Sequence, residues 1–213
     1  QGLGRSDILV PEIIAQVYDS AMCHMDPDMW LQKCLSDSDV DGVTDASDTV
    51  WGRYLLEDLF QYLDAQILVM DECVRLADDC DGFEKPAVVL RGTLYQLQEL
   101  RECQSWDEIV EKQNIDYGRL TFPRKNPDPN LSDRIKEARS ACKKGLEKKL
   151  KYFADPSSQI LVDLEQSAAG TRGLLQLVET FSENYRQEKR KRRVLDFSDL
   201  EHRTLDLLLG KNR

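Results

Sequence analysis

Apolar residues recur three or four positions apart along most of the chain, which is the spacing of an α-helix with one buried face. The longest such run extends from Asp48 to about Cys80 and predicts a single long helix, which the Asp81-Gly82 pair ends. No segment alternates apolar and polar residues with the period of a strand. The pattern predicts an all-α fold, an irregular multi-helix domain in which neighbouring helices are mostly antiparallel.

Start signals divide the rest of the chain into further helices, because proline is well tolerated in a first helical turn. Helix starts of this kind are predicted at Pro11, Asp26-Pro27, Pro86 and Pro156. Ser105 and Glu108 have the spacing of a capping box and predict a short helix behind them. The helix that begins near Pro156 is predicted to break or bend between Gly170 and Gly173.

One long loop is predicted at residues 114–131, which read NIDYGRLTFPRKNPDPNL. Three prolines and a glycine exclude a helix there. The segment is also the one predicted loop that combines aromatic and basic residues. A basic helix is predicted to follow it, from Ser132 or Asp133 to about Ala154.

Charge is distributed unevenly along the 213 residues, whose formal net charge is −10. Residues 7–81 contain 18 acids and three bases, whereas residues 119–151 contain 11 bases and four acids. The net charge argues against a general nucleic-acid binder, but the basic segment by itself would attract phosphate. The charge pattern therefore allows a DNA contact that is confined to one part of the molecule.

The basic segment supplies the candidate binding residues. Lys136, Arg139 and Lys143 share one face of the predicted helix because they are three or four positions apart. Tyr117 and Phe122 in the loop are candidates for stacking on bases or sugars. The alternative is an ordinary basic helix that pairs with the excess acid of this chain. The predicted phosphate contacts are Arg119, Arg124, Lys125, Lys136, Arg139, Lys143 and Lys144.

The acidic segment DSDVDGVTDASD, residues 37–48, has the spacing of a calcium loop. Its carboxylates fall at loop positions one, three, five, nine and twelve, and a glycine falls at position six. The match is imperfect because an aspartate replaces the final glutamate. The alternative is a solvated acidic linker whose aspartates cap the next helix. The candidate calcium ligands are Asp37, Asp39, Asp41, Asp45 and Asp48.

No catalytic residues are predicted. The segment ILVMDEC, residues 67–73, resembles a magnesium motif of nucleotide-binding sites, but it lies within a helical pattern, and the sequence has no glycine-rich phosphate loop. The two histidines and six scattered cysteines do not form a zinc pattern. The chain starts with Gln and shows no signal or membrane segment, so we expect a cytoplasmic piece of a longer protein.

The segment LDFSDLEHRTLDLL, residues 195–208, resembles a segment of UvrD/RecB-type superfamily 1 helicases, and its DFSDLEH form resembles AddA-type helicase/nuclease proteins. Three other segments occur in the order expected for the same family: GRSD at residues 4–7, Asp-Pro followed by Trp-Leu at residues 26–31, and the TFPR loop. The resemblance implies that residues 1–194 are a helical 1B-type insertion domain and that residues 195–213 return toward the motor domain. Asp196 and Asp199 are expected to cap a helix near Asp199. Leu195, Phe197 and Leu200 are expected to be partly exposed in this chain.

The same resemblance implies a DNA-contacting accessory domain of an ATP-dependent 3′–5′ helicase and exonuclease in double-strand break repair and recombination. ATP and magnesium would bind the parent enzyme, and this segment would need no cofactor and would be inactive alone. The implied partners are double-stranded and single-stranded DNA and an AddB-type subunit, with no membrane. Two alternatives stay open: a helical protein-interaction module that docks a partner through its acidic half, and a calcium-binding helical domain.

Overall fold

The computed structural model describes residues 9–210 and contains eight α-helices and no strand within that range. The predicted all-α class is therefore confirmed. The helices are α1 Val10–Met22, α2 Pro27–Asp37, α3 Val50–Asp78, α4 Glu84–Arg101, α5 Trp106–Lys112, α6 Pro129–Leu150, α7 Ser157–Arg192 and α8 Phe197–Leu208. Short 3-10 helices at Ala46–Asp48 and Lys151–Phe153 precede α3 and follow α6. The GRSD segment at 4–7 lies outside the described residues.

The chain divides into two compact units. The central unit is Gly42–Val162, and the terminal unit consists of the described parts of Gln1–Asp41 and Asp163–Arg213. Helices α3 to α6 belong to the central unit, whereas α1, α2 and α8 belong to the terminal unit. Helix α7 begins in the central unit and continues into the terminal unit. The boundary expected between residues 194 and 195 separates a 1B-type domain from the return to a motor domain, and it stays a prediction.

The core of the central unit forms around α3, which packs against both α4 and α6. Leu63 and Leu97 are fully buried in this core, as the apolar spacing of their helices requires. Trp106, the first residue of α5, is also fully buried. Its ring lies 4.2 Å from that of Phe153, and its indole N–H donates to the carbonyl of Asp155 at 2.9 Å. These contacts join Trp106, which precedes the basic loop and α6, to Phe153 and Asp155, which follow them.

Helix α6 is held against α3 by three contacts. The hydroxyl of Tyr62 donates to the carbonyl of Cys142 at 3.1 Å, and burial raises the pKa of Tyr62 to about 12. A side chain at Gly145 would overlap the Tyr62 ring, so only glycine permits this close approach. Lys149 of α6 forms an ion pair with Asp58 of α3 at 2.5 Å. The orientation of the basic helix is thereby set by packing.

The terminal unit has a smaller core in which aromatic rings predominate. Tyr18 of α1 is buried against Phe181 and Tyr185 of α7, with ring centroids 5.1 and 5.8 Å away and the rings nearly perpendicular. Leu31 of α2 and Val178 of α7 complete the buried cluster. The Asp26 side chain accepts from the N–H of Met29 and caps α2, as the Asp-Pro signal predicts.

Two predicted boundaries are wrong. Helix α6 begins at Pro129, with Asp128 as its cap, rather than at Ser132 or Asp133. Proline is acceptable in the first turn, so this proline belongs to the helix instead of the loop. Helix α7 runs unbroken for 36 residues through Gly170 and Gly173. An isolated helical glycine costs only about 1 kcal/mol, which neighbouring turns can offset.

The continuity of α7 leads to a prediction for its two glycines. A methyl group at Gly170 or Gly173 would meet no neighbouring atom within 4 Å, so each alanine substitution should raise the free energy of unfolding by about 1 kcal/mol. Urea unfolding followed by circular dichroism measures this. Gly52→Ala is the opposing control, because its methyl would overlap the carbonyl oxygen of Ala46 and destabilise the chain. Loss of stability in the α7 variants would contradict an unbroken helix.

No helix among residues 9–210 is long and apolar enough to cross a membrane.

Candidate nucleic-acid interface

The long loop that precedes α6 is anchored to α4. The side-chain oxygen of Gln96 accepts from the N–H of Asp116 at 2.8 Å, and its amide nitrogen donates back to the Asp116 carbonyl at 3.1 Å. The Phe122 ring packs at 5.0 Å against the fully buried Phe83. The loop is therefore a fixed part of the central unit, although it contains no regular secondary structure over residues 113–123.

Arg139 of α6 also holds this loop. Its guanidinium donates to the backbone carbonyl of Tyr117 and, at 2.6 Å, to that of Gly118. The side chain is half-buried, and burial lowers the pKa of Arg139 from its ordinary value. The sequence suggested a phosphate contact for this residue, but its hydrogen bonds are directed into the protein. The structure therefore assigns Arg139 to positioning the loop.

The two aromatic rings of the loop are also used inside the unit. The hydroxyl of Tyr117 is buried without a nitrogen or oxygen partner among the described residues, and burial together with the nearby Cys142 thiol raises the pKa of Tyr117. Lys143 lies over its ring, 5.6 Å from the centroid, and Lys136 lies 5.2 Å from that of Phe122. Both rings are half-buried, so only part of each ring is accessible, and base stacking stays a prediction.

The other predicted contacts lie on the surface. Lys136 pairs with Asp133 at 2.9 Å and Lys143 with Glu147 at 3.9 Å, both within α6 and both exposed. Exposed pairs of this kind contribute about 1 kcal/mol or less, so phosphate can compete for these lysines. Four predicted contacts are exposed and make no side-chain hydrogen bond or ion pair with the described residues. These four are Arg119, Arg124, Lys125 and Lys144.

The acid of this chain pairs with only part of that surface, because four of the seven predicted contacts are exposed and have no acidic partner among the described residues. In the central unit, inter-helix ion pairs use bases outside the predicted set, such as Arg91 with Asp78 at 2.7 Å and Arg101 with Asp64 at 2.7 Å. The exposed bases of the loop and of α6, here called the basic surface, therefore include four whose charge is unpaired among the described residues. Within α6, however, Lys136, Lys143 and Lys149 each pair with an acid of this chain, which supports in part the alternative of a basic helix that pairs with the chain's own acid.

The calcium alternative is also unsupported. No group of three or more acidic, histidine or cysteine side chains among residues 9–210 is arranged to hold a metal ion. One oxygen of Asp45 accepts from the N–H of Ser47 at 2.8 Å, from its hydroxyl at 2.6 Å, and from the N–H of Trp106 at 3.0 Å. Burial favours the neutral acid, but these hydrogen bonds outweigh it and lower the pKa of Asp45. Asp45 is a structural cap, as the linker alternative suggested.

The DFSDLEH segment forms a cap and the start of α8. The side chain of Asp196 accepts from the N–H of Asp199, and the side chain of Asp199 accepts from the N–H of Asp196. The buried ammonium of Lys189, on α7, bonds to both carboxylates at 2.9 and 2.8 Å. The helix begins at Phe197, two residues before Asp199, and the predicted capping by Asp196 and Asp199 is confirmed. Lys189 was not predicted, because only the fold brings it to these acids.

The predicted partial exposure beside this cap is confirmed. The exposed fractions are 47% for Leu195, 85% for Phe197 and 49% for Leu200. Helix α8 buries none of its residues completely, and Leu207 and Leu208 are exposed as well. An apolar helix face therefore remains on the surface of the terminal unit.

No protein-family model matches the chain. Curated proteins do match it, over almost its full length. An AddA-type ATP-dependent helicase/nuclease protein from Bacillus pumilus is 30% identical over 208 residues, which is 96% of this chain. The corresponding proteins of Listeria monocytogenes serovar 1/2a and Clostridium novyi are 28% and 26% identical, over 98% and 96% of the chain. The chain is therefore a relative of the AddA-type helicase/nuclease proteins.

The resemblance to AddA-type proteins inferred from the DFSDLEH segment is thus confirmed. The chain spans only 17% of the length of each of these AddA-type relatives, however. It corresponds to one segment of a much longer kind of protein.

Proposed function

We propose that this chain is a DNA-contacting helical domain of an ATP-dependent helicase/nuclease, and that the central unit binds the backbone of double-stranded DNA. The observation that carries this proposal is that four bases of the loop and α6 are exposed and lack acidic partners among the described residues: Arg119, Arg124, Lys125 and Lys144. Lys136 and Lys143 extend the basic surface along α6. Contacts of this type recognise phosphate without reading base sequence, which suits an enzyme that moves along DNA.

Duplex binding measured against salt tests this proposal. Six phosphate contacts should give a slope of about −5 in a plot of log affinity against log salt, since each contributes about 0.9. The double variant Lys143→Glu plus Lys144→Glu should bind at least about tenfold more weakly and reduce the slope by about two. Fluorescence anisotropy with a labelled duplex of arbitrary sequence is a suitable measurement.

Lys85→Glu plus Lys112→Glu is the matched control. Both lysines are exposed in the central unit without a side-chain hydrogen bond or ion pair to the described residues, and the change in net charge is identical. This control should retain most of the affinity. Equal losses in the two variants, or a slope near zero for the unaltered chain, would show that the basic surface is not a DNA site.

We further propose that the parent protein supplies ATP- and magnesium-dependent motor and nuclease activities and assembles with an AddB-type subunit in double-strand break repair. The exposed apolar residues of α8 would then pack on the motor domain, whereas this segment supplies no catalytic group. The DNA sequence on either side of the coding segment tests the proposal. A phosphate-loop motif upstream and an Asp-Glu motif downstream are expected, and their absence would rule out a helicase parent.

A further inference from the structure

A basic cleft of about 680 Å³ lies in the terminal unit, between the end of α7, the start of α8 and the turn between α1 and α2. Three arginines that line it make no side-chain hydrogen bond or ion pair with the described residues: Arg190, Arg193 and Arg203. Arg190 belongs to α7, Arg193 follows the end of that helix and Arg203 belongs to α8, so the fold rather than the basic run alone brings them to one cavity. None of them was predicted as a binding residue.

The other charges of the cleft are largely used within the protein. Arg186 pairs with Asp28 at 3.3 Å, and Lys189 bonds to Asp199 at 2.8 Å. Asp206 also lines the cleft and offsets one arginine. The residues that line the cleft therefore carry a net positive charge. A guanidinium offers planar paired donors that match the oxygens of a phosphate group.

The turn at the end of α7 fixes the backbone of one of these arginines, Arg193. The N–H of Val194 donates to the carbonyl of Lys189 at 3.1 Å, and the N–H of Arg193 to that of Arg190 at 3.2 Å. This pattern is a Schellman motif, whose residue after the cap usually is glycine because its φ is positive. Arg193 occupies that position with φ 55°. An arginine is therefore present where the backbone itself would favour glycine.

Four apolar residues also line the cleft and are here called its apolar wall: Met22, Met25 and Pro27 around the α1–α2 turn, and Leu195. The position of this wall is fixed because the Met22 carbonyl lies 3.0 Å from the ring nitrogen Nε2 of His202 on α8. A cleft lined by both apolar side chains and arginines suits a ligand that joins a phosphate to a flat, weakly polar group. The volume lies in the range of small-molecule sites, so a whole nucleotide fits better than a bare ion.

We propose that this cleft binds one nucleoside phosphate, either as a free nucleotide or as one unit of a single strand. The site lies apart in sequence from the basic surface of the central unit and uses different residues. Nucleotide binding at this cleft can therefore be tested independently of duplex binding by α6 and its loop. The apolar wall would contact the base or sugar, and the three arginines would bind the phosphate.

Calorimetric titration of the 213-residue chain with thymidine 5′-monophosphate, oligothymidylate and inorganic phosphate tests the proposal. The double variant Arg193→Gly plus Arg203→Gln should weaken binding of the nucleotide probes at least about tenfold, since charged hydrogen bonds are lost. Arg193→Gly suits the positive φ, so the variant should fold, which circular dichroism checks. Lys191→Gln, from the same basic run but outside the cleft and paired with Glu188 at 3.7 Å, is the matched control and should change affinity less than about twofold.

Tighter binding of oligothymidylate than of the mononucleotide would support a strand ligand, and equal binding per site would support a free nucleotide. Inorganic phosphate that binds as tightly as thymidine 5′-monophosphate would refute the role of the apolar wall. Absence of binding, or equal losses in the cleft variant and in Lys191→Gln, would overturn the site itself.

Discussion

Replacing Asp45 with alanine should lower the free energy of unfolding by about 3 kcal/mol, because one oxygen of this half-buried carboxylate accepts three hydrogen bonds, each of which contributes about 1 kcal/mol. The loss should leave the N–H of the buried Trp106 unpaired. Asp45→Asn keeps an acceptor and should cost about 1 kcal/mol. Urea unfolding followed by tryptophan fluorescence measures both, since Trp106 is adjacent to the site.

Two controls separate this structural role from calcium binding. Asp48→Ala removes an exposed carboxylate without a side-chain partner among the described residues and should change stability by less than about 0.5 kcal/mol. Added calcium should leave the unfolding midpoint of the unaltered chain unchanged. A calcium-dependent midpoint that Asp45→Ala abolishes would instead restore the calcium-loop interpretation.

The contribution of Asp45 should also depend on pH. The folded chain lowers the pKa of Asp45, so the folded state prefers the ionised form. Its stabilisation is therefore complete above the ordinary aspartate pKa of about 4 and is lost as the pH falls below that value toward the folded pKa. The stability difference between the unaltered chain and Asp45→Ala should shrink between about pH 5 and pH 2.

Replacing Arg139 with glutamine should destabilise the long loop by about 2 kcal/mol, because the guanidinium is the donor to two loop carbonyls. The loop would then open more often without unfolding of the whole unit. The N–H of Asp116, which is bonded to Gln96, should exchange with solvent about thirtyfold faster. Amide hydrogen exchange read by nuclear magnetic resonance measures this change.

Lys144→Gln removes the same charge from the same helix but lacks a side-chain partner among residues 9–210. It should leave exchange in the loop unchanged while reducing the salt slope of duplex binding by about one. Arg139→Gln should instead speed amide exchange in the loop and leave the salt slope of duplex binding unchanged. If Arg139→Gln leaves loop exchange unchanged and reduces the salt slope by about one, Arg139 contacts phosphate, as the sequence suggested, and does not position the loop.

Local sequence signals identified much of this architecture because their physical causes are local. The α3 pattern and the Asp26 and Ser105 caps were recognised from spacing and residue type, whereas the exposure of Leu195, Phe197 and Leu200 was expected from the resemblance to AddA-type proteins. Boundaries near proline and glycine were less reliable. Pro129 belongs to α6, and Gly170 does not interrupt α7, because the energetic effect of a single residue is small compared with that of several helical turns.

By itself, the sequence determined the helical class, the separation of acidic and basic segments and the kinship with AddA-type helicase/nuclease proteins, since composition, periodicity and motif order are properties of the chain alone. The tertiary structure decided which charges remain available. Arg139 is used by the loop, whereas Lys144 is left exposed, although both belong to one basic helix. It also brought Arg193, which follows α7, and Arg203 of α8 to one cleft. Partners distant in sequence decide whether a charge is neutralised, and only folding places them within reach.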